Sequence, residues 1–207
     1  MLTAKEALQR LQEGNVRFTL NVRGLEALQS QMRRAELSES QEPFAIVLGC
    51  ADSRVPAEIV FDQGLGDLFV IRIAGNIVAP SGIGSVEFAA ARFGTPLVVV
   101  LGHSRCGAIL ATLEELRRPT ENQSRNLRSI VDRVRPSVEN LLHGAPLPAD
   151  EIVREAVRAN IRASVANLRK GSDILEQLIQ EGRLTIVGAE YSLETGVVEF
   201  FDGVPPG

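Results

Sequence analysis

The stretch VVVLGHSRCGA, residues 98–108, decides how this chain folds. An unbroken apolar run leads into Gly102, and a histidine and a cysteine follow at positions 103 and 106. A continuous apolar run closed by glycine is the pattern of a strand buried on both faces. The plan repeats upstream: in FAIVLGC, residues 44–50, a similar run reaches Gly49 and then Cys50. In open α/β sheets, ligands gather beyond the carboxyl ends of the strands. If the two strands are neighbours, about 4.8 Å apart, Cys50 and His103 share one sheet edge. Cys106 then arrives on the turn into the next helix.

Working outward, further apolar runs at Leu68–Ile73 and Leu184–Val187 join Phe44–Leu48 and Leu97–Leu101 as strand candidates. Helical patterns lie between them. Residues 3–19 form an amphipathic helix with Thr3 as N-cap and Glu6 completing a capping box. A weaker helix spans 25–37, and VPAEIVFDQ holds a short one. GSVEFAAARFG ends at Gly94, and residues 107–118 are closed by Pro119. Residues 124–142 and 150–181 carry the long helical segments, split by HGAPLPAD. EYSLETGVVEFFDG reads as a hairpin. The fold class is therefore α/β: a mostly parallel central sheet flanked by helices, with an antiparallel edge strand. No internal linker divides residues 1–207, so one domain is expected.

The chain has 207 residues, 44% hydrophobic and 23% charged, enough for a sizeable core. Its net charge is −4, it has no Trp, and aromatics are 4%, so neither a basic stripe nor a stacking platform suits nucleic acid. No apolar stretch approaches the roughly 18 residues of a membrane span, and the N-terminus does not read as a secretory leader. The expected compartment is the cytoplasm, where thiols stay reduced.

Cys50, Cys106, His103 and His143 are the only cysteines and histidines. Two thiolates and one imidazole suit zinc, and a structural site would require a fourth protein ligand. His143, in LLHGAP, reads as a cation at a helix C-terminus. That leaves a Cys2His set with an open position, the arrangement of a catalytic zinc. Asp52, two residues past Cys50, can reach either the metal or Arg54. Two thiolates cancel the metal's charge, so its pull on water is weaker than in a three-histidine site, and activity should rise into the alkaline range. Lys5 and Lys170 sit in solvated helical settings, against a Schiff base. In SGIGSVE, Glu87 stands where a dinucleotide loop needs a small residue. Arg72 in an apolar strand calls for a carboxylate partner, with Glu87 the candidate.

CADSR at 50–54 followed by HSRC at 103–106 resembles the β-class carbonic anhydrases, in their plant-like subgroup. The likeness runs through VPAEIVFDQGLGDLFVIRIAGNIV to TIVGAEY and covers nearly the whole chain. The resemblance implies a lyase with one zinc ion per chain, held by Cys50, His103 and Cys106. Water or hydroxide in the fourth position would attack carbon dioxide to give bicarbonate, oriented by an Asp52–Arg54 dyad. In some members the aspartate itself closes the metal, so Asp52 is also a possible fourth ligand. Gln41, Phe69, Phe88 and Gly107 match substrate-site positions. A subset of the family has a second, inhibitory bicarbonate site built from Trp, Arg and Tyr. Arg72 and Tyr191 match two of these, and Val47 replaces the Trp, which argues against that site. The resemblance also implies a homodimer or homotetramer, with residues 1–37 as a helical arm on a partner subunit. That fits an amphipathic helix with no obvious core of its own.

Two other readings stay open. A carbon disulfide or carbonyl sulfide hydrolase of this fold would share the metal ligands. A non-catalytic bicarbonate sensor or assembly component would have no need of Asp52 and Arg54.

Overall fold

The computed structural model describes residues 2–22, 36–119, 124–143 and 148–205. Five strands form one sheet: β1 (Ala45–Gly49), β2 (Leu68–Arg72), β3 (Leu97–His103), β4 (Thr185–Tyr191) and β5 (Val198–Asp202). Their spatial order is β2-β1-β3-β4-β5. The first four run parallel and β5 pairs antiparallel with β4, as the hairpin pattern predicts.

Pleat alternation sends the side chains of each strand to opposite faces. Ile46, Leu48, Val98, Val100 and Ile186 join one core cluster, and Ala45, Val47, Val99, Leu101 and Val187 join the other. Every residue of β1 and β3 is buried, which explains their unbroken apolar runs.

Seven α-helices flank the sheet among the described residues: α1 (Ala4–Thr19), α2 (Ala57–Val60), α3 (Pro80–Phe93), α4 (Gly107–Arg117), α5 (Arg125–Val138), α6 (Ala149–Lys170) and α7 (Asp173–Gln180). The capping box forms: the Glu6 amide donates to Thr3 Oγ1 and the Thr3 amide to Glu6 Oε2. Gly94 ends α3 in the left-handed conformation at φ 66°, open to glycine at little steric cost. The segment 150–181 is two helices: Ser172 caps α7 with its hydroxyl, a local bond that competes with helix continuation. The helix expected over 25–37 lies outside the described residues except at its end, where Glu36–Ser38 is a 3-10 turn.

The first helix corrects one expectation. Its apolar face does have a core within its own chain: Ala7, Leu8 and Leu11 are buried in the second cluster with Phe44, Phe61 and Leu101. Asn15 fastens it further. Its side-chain amide donates to the carbonyls of Val60 and Gly196, and its oxygen accepts from the Val198 amide. Arg17 pairs with the buried Asp62 at 2.6 Å.

Candidate metal centre

Strands β1 and β3 are adjacent and parallel, with Gly49 in register with Leu101. Cys50 and His103 therefore leave the same edge of the sheet side by side. The ligand atoms of Cys50, His103 and Cys106 all lie within 4.8 Å of one another, and all three residues are buried. The two Sγ atoms are 3.9 Å apart. His103 Nδ1 lies 2.9 Å from the Ser104 carbonyl, which can only accept, so Nδ1 carries the proton and Nε2 is the free lone pair. That Nε2 is fully buried and has no hydrogen-bond partner.

The HSRC turn is held by the β4–β5 hairpin. The Ser104 amide donates to the Tyr191 carbonyl at 2.9 Å, and the Leu193 amide to Ser104 Oγ at 3.0 Å. Ser104 Oγ donates to Glu194 Oε2, and Arg105 Nε pairs with Glu194 Oε1, both at 2.9 Å. Arg105 has φ 53°, a conformation costing about 1–2 kcal/mol for a residue with a Cβ. This reversal places Cys106 at the N-cap of α4, where the helix end favours a thiolate.

The two sulfurs stand close enough for one thiol to donate to the other. Hydrogen bonding from Cys106 holds the Cys50 thiol down, against its burial, with help from the amide of Gly75. The Cys106 thiol is pushed up, first by its bond to the Cys50 thiolate and then by burial.

Asp52 turns to Arg54 rather than into the thiolate cluster. Arg54 Nε and Nη2 donate to Oδ1 and Oδ2 at 2.9 and 2.7 Å, and the Arg54 amide adds a bond to Oδ1 at 3.0 Å. These bonds hold the Asp52 carboxyl well below the usual carboxylate range. Asp52 Oδ2 remains 3.8 Å from His103 Nε2.

Arg72 has a different partner from the one expected. Its Nε donates to the Cys50 carbonyl at 3.0 Å and its Nη2 to the Asp52 carbonyl at 2.5 Å. Glu87 instead accepts from the Ser172 hydroxyl. The loop carrying Cys50 and Asp52 has turned away from sheet pairing, so its carbonyls need donors, and a long cation at the end of β2 supplies them. The charged residue at the end of an apolar strand was the sequence signal. Nothing in the sequence distinguished a carboxylate partner from two carbonyls.

The other expected residues are dispersed. Phe69 and Phe88 come together with Phe93, the three ring centroids 5.5 to 6.3 Å apart, and Phe88 is 54% exposed. A side chain at Gly107, immediately after Cys106, would meet nothing within 4 Å. Gln41 is exposed and precedes β1, so it lies at the opposite end of that strand from Cys50. Val47 is buried in the sheet between Val70 and Val99. Tyr191 is buried against Phe18. His143 is exposed, and its backbone caps a 3-10 turn over Glu139–Leu142.

Known proteins resemble this chain in sequence and fold. The carbonic anhydrase family model matches residues 45–198. A carbonic anhydrase of Mycolicibacterium smegmatis is 42% identical over 193 residues, covering 93% of this chain and 91% of that one. Carbonic anhydrase 2 of Mycobacterium tuberculosis is 40% identical over 190 residues, covering 92% and 89%. Among solved structures, the Coccomyxa β-carbonic anhydrase in complex with acetazolamide has a TM-score of 0.74 at 27% identity, over 84% of this chain and 79% of that one. The β-carbonic anhydrase CcaA has a TM-score of 0.71 at 28% identity, over 98% and 93%. With a sheet, a family match and relatives that agree over most of its length, this chain belongs to the β class of the carbonic anhydrases, a family of lyases.

Proposed function

We propose that this chain catalyses the reversible hydration of carbon dioxide to bicarbonate and a proton, with one zinc ion held by Cys50, His103 and Cys106. The observation that carries the reading is the convergence of these ligand atoms beside an aspartate already gripped by arginine. The donor set fits zinc. Tetrahedral Zn–S bonds of about 2.3 Å place two sulfurs roughly 3.8 Å apart, close to the 3.9 Å between Cys50 and Cys106. The buried, unpartnered Nε2 of His103 is costly to leave unfilled and is the atom a metal would satisfy.

Zinc, when bound, supplies Lewis acidity that makes water ionise at far lower pH than in bulk. The chain's residues do the rest. Asp52, kept ionised by Arg54, accepts the hydrogen bond of the attacking oxygen and aims a lone pair at the carbon. Arg54 returns positive field that two thiolates remove. The open space at Gly107 leaves room for substrate; Phe69, in register with Ile46 and not with the Cys50 end of β1, and Phe88 would give carbon dioxide an apolar wall at the site of a second copy. Gln41, at the far end of β1, would serve the site of a second copy, which favours a homodimer or homotetramer. The arm expected over 1–37 would then use the face of α1 that its own core leaves uncovered, where Val16 and Leu20 are exposed. The cytoplasm is the compartment we assign, since a thiolate pair there stays reduced.

The test is stopped-flow carbon dioxide hydration at alkaline pH on protein carrying one zinc per chain, before and after chelation. Fast hydration that chelation abolishes and zinc restores is expected. Zinc-loaded protein that fails to hydrate carbon dioxide would overturn the assignment. Turnover of carbon disulfide or carbonyl sulfide by that protein would then identify the hydrolase instead.

A further inference from the structure

We infer that Asn160 and Ser164 on α6 are positioning residues for the Cys50 sulfur, acting through the backbone turn Ala74–Asn76. The inference rests on the reading of Cys50 as a metal ligand.

The turn follows β2 and departs from the sheet. Gly75 has φ 70° and Asn76 has φ 45°, so two successive left-handed residues aim its backbone groups away from strand pairing. Four of those groups have identified partners, and one of them, the Asn76 amide, closes the turn on the Ile73 carbonyl at 2.9 Å. The Gly75 amide donates to Cys50 Sγ at 3.3 Å. The Gly75 carbonyl accepts from Asn160 Nδ2 at 2.8 Å, and the Asn76 carbonyl from Ser164 Oγ at 3.0 Å. Fixing both carbonyls fixes the peptide planes after Gly75 and Asn76; the Gly75 N–H lies in the adjoining Ala74–Gly75 plane, joined to them through the Gly75 φ of 70°, so holding those planes restricts its direction as well.

Four residues separate Asn160 from Ser164, so they share one face of α6. That face is otherwise apolar: Val157, Ile161, Val165 and Leu168 are buried in the core. Ile161 lies so close to Gly102 at the end of β3 that a Cβ there would stand 2.6 Å from it. Polar side chains in such a setting are destabilising unless their donors are used. Both are used on this one turn, whose amide points at the thiolate. An N–H donated to a coordinating sulfur fixes its orientation and draws off charge, and losing such outer contacts lowers metal affinity about 10–100-fold.

The experiment uses the full chain loaded with zinc or cobalt(II). Zinc affinity is read by chelator competition, and the sulfur-to-cobalt charge-transfer absorption reports on the thiolates directly. Asn160→Leu and Ser164→Ala should each weaken zinc by about tenfold or more and shift the absorption band. Ser164→Thr, which keeps the hydroxyl, should return both toward wild type. Leu168→Ala, on the same face but away from the turn, should lower the melting temperature and leave both readouts in place. If Asn160→Leu does not fold, Ser164→Ala decides. Unchanged affinity and absorption in Ser164→Ala, or an equal change in Leu168→Ala, would overturn the inference. Wild-type protein without a thiolate charge-transfer band would instead overturn the metal reading, and this inference with it.

Discussion

Arg54 holds both carboxylate oxygens of Asp52, at 2.9 and 2.7 Å, while Asp52 Oδ2 stays 3.8 Å from the free nitrogen of His103. The carboxylate is thus oriented by one neighbour and available to another group at the candidate metal centre. Asp52→Asn preserves the shape but removes the charge and turns one acceptor into a donor. Zinc content should stay at one per chain and hydration should fall at least about 100-fold, as for loss of a positioned hydrogen-bonding group in other enzymes. Loss of zinc in that variant would show that Asp52 serves the metal and not the substrate.

The same bonds make a pH prediction. A carboxyl depressed in the folded state stabilises the fold above its ordinary value of about 3.9. That contribution disappears only as pH falls toward the depressed folded value. Asp52 is depressed, chiefly by Arg54, so it stays ionised throughout the neutral and alkaline range. Any rise of activity there must come from another group. Carbon-13 NMR of the Asp52 carboxyl should show no titration above about pH 4. A midpoint at pH 5 or higher would contradict it.

Arg72 is predicted to act on turnover more than on the fold. It bonds the Cys50 and Asp52 carbonyls at an exposed edge, so water can replace it there. Arg72→Leu should therefore cost only about 1 kcal/mol of stability, the ordinary worth of a replaced hydrogen bond. It frees the loop carrying Asp52, so kcat should fall about tenfold, as expected when about 1.4 kcal/mol of orientation is lost. Arg72→Lys should recover part of it. Melting temperature and kinetics on the same preparations separate the two effects.

Legibility followed what each residue depends on. Strands β1 and β3 were readable because burial on both faces leaves no alternation to interpret, and their shared Gly-ligand endings gave the position of Cys50 beside His103. The capping box and the Gly94 stop depend on neighbours within a turn, so they were readable as well. Arg72, Asn160 and Ser164 were not, because their partners are backbone carbonyls far along the chain, which carry no residue identity. The place of α1 was missed for a related reason: an amphipathic face does not say whose core it joins. The Ser172 break in the 150–181 segment lay in plain view as a serine after glycine, but a continuous helical period outweighed it.

The burial of Leu11 leads to a test of that first helix. Leu11 is fully buried among Phe44, Phe61 and Leu101. Leu11→Ala should destabilise the chain by about 2–5 kcal/mol through lost burial and the cavity left behind. The loss should be the same at low and high protein concentration, since the contacts lie within one chain. A loss that disappears on dilution would assign Leu11 to a contact between copies.

Phe88 should show the opposite behaviour. The residue is 54% exposed beside Phe69 and Phe93, so its loss removes little buried area from the folded chain. Phe88→Asp should then change the stability of an isolated chain by less than about 1 kcal/mol. At a contact between copies, however, it would leave a charge without partner or water, which is far more costly. Sedimentation should show the wild type as a dimer or tetramer and the variant shifted toward smaller species. Because Phe88 also stands in the proposed carbon dioxide wall, the control is wild type diluted to the same dissociation: if Gln41 reaches the site of a second copy, hydration per chain should fall in both, at unchanged zinc content. A variant that dissociates yet hydrates carbon dioxide at the wild-type rate would show that each chain's site is complete by itself, and Gln41 would then have no part in it.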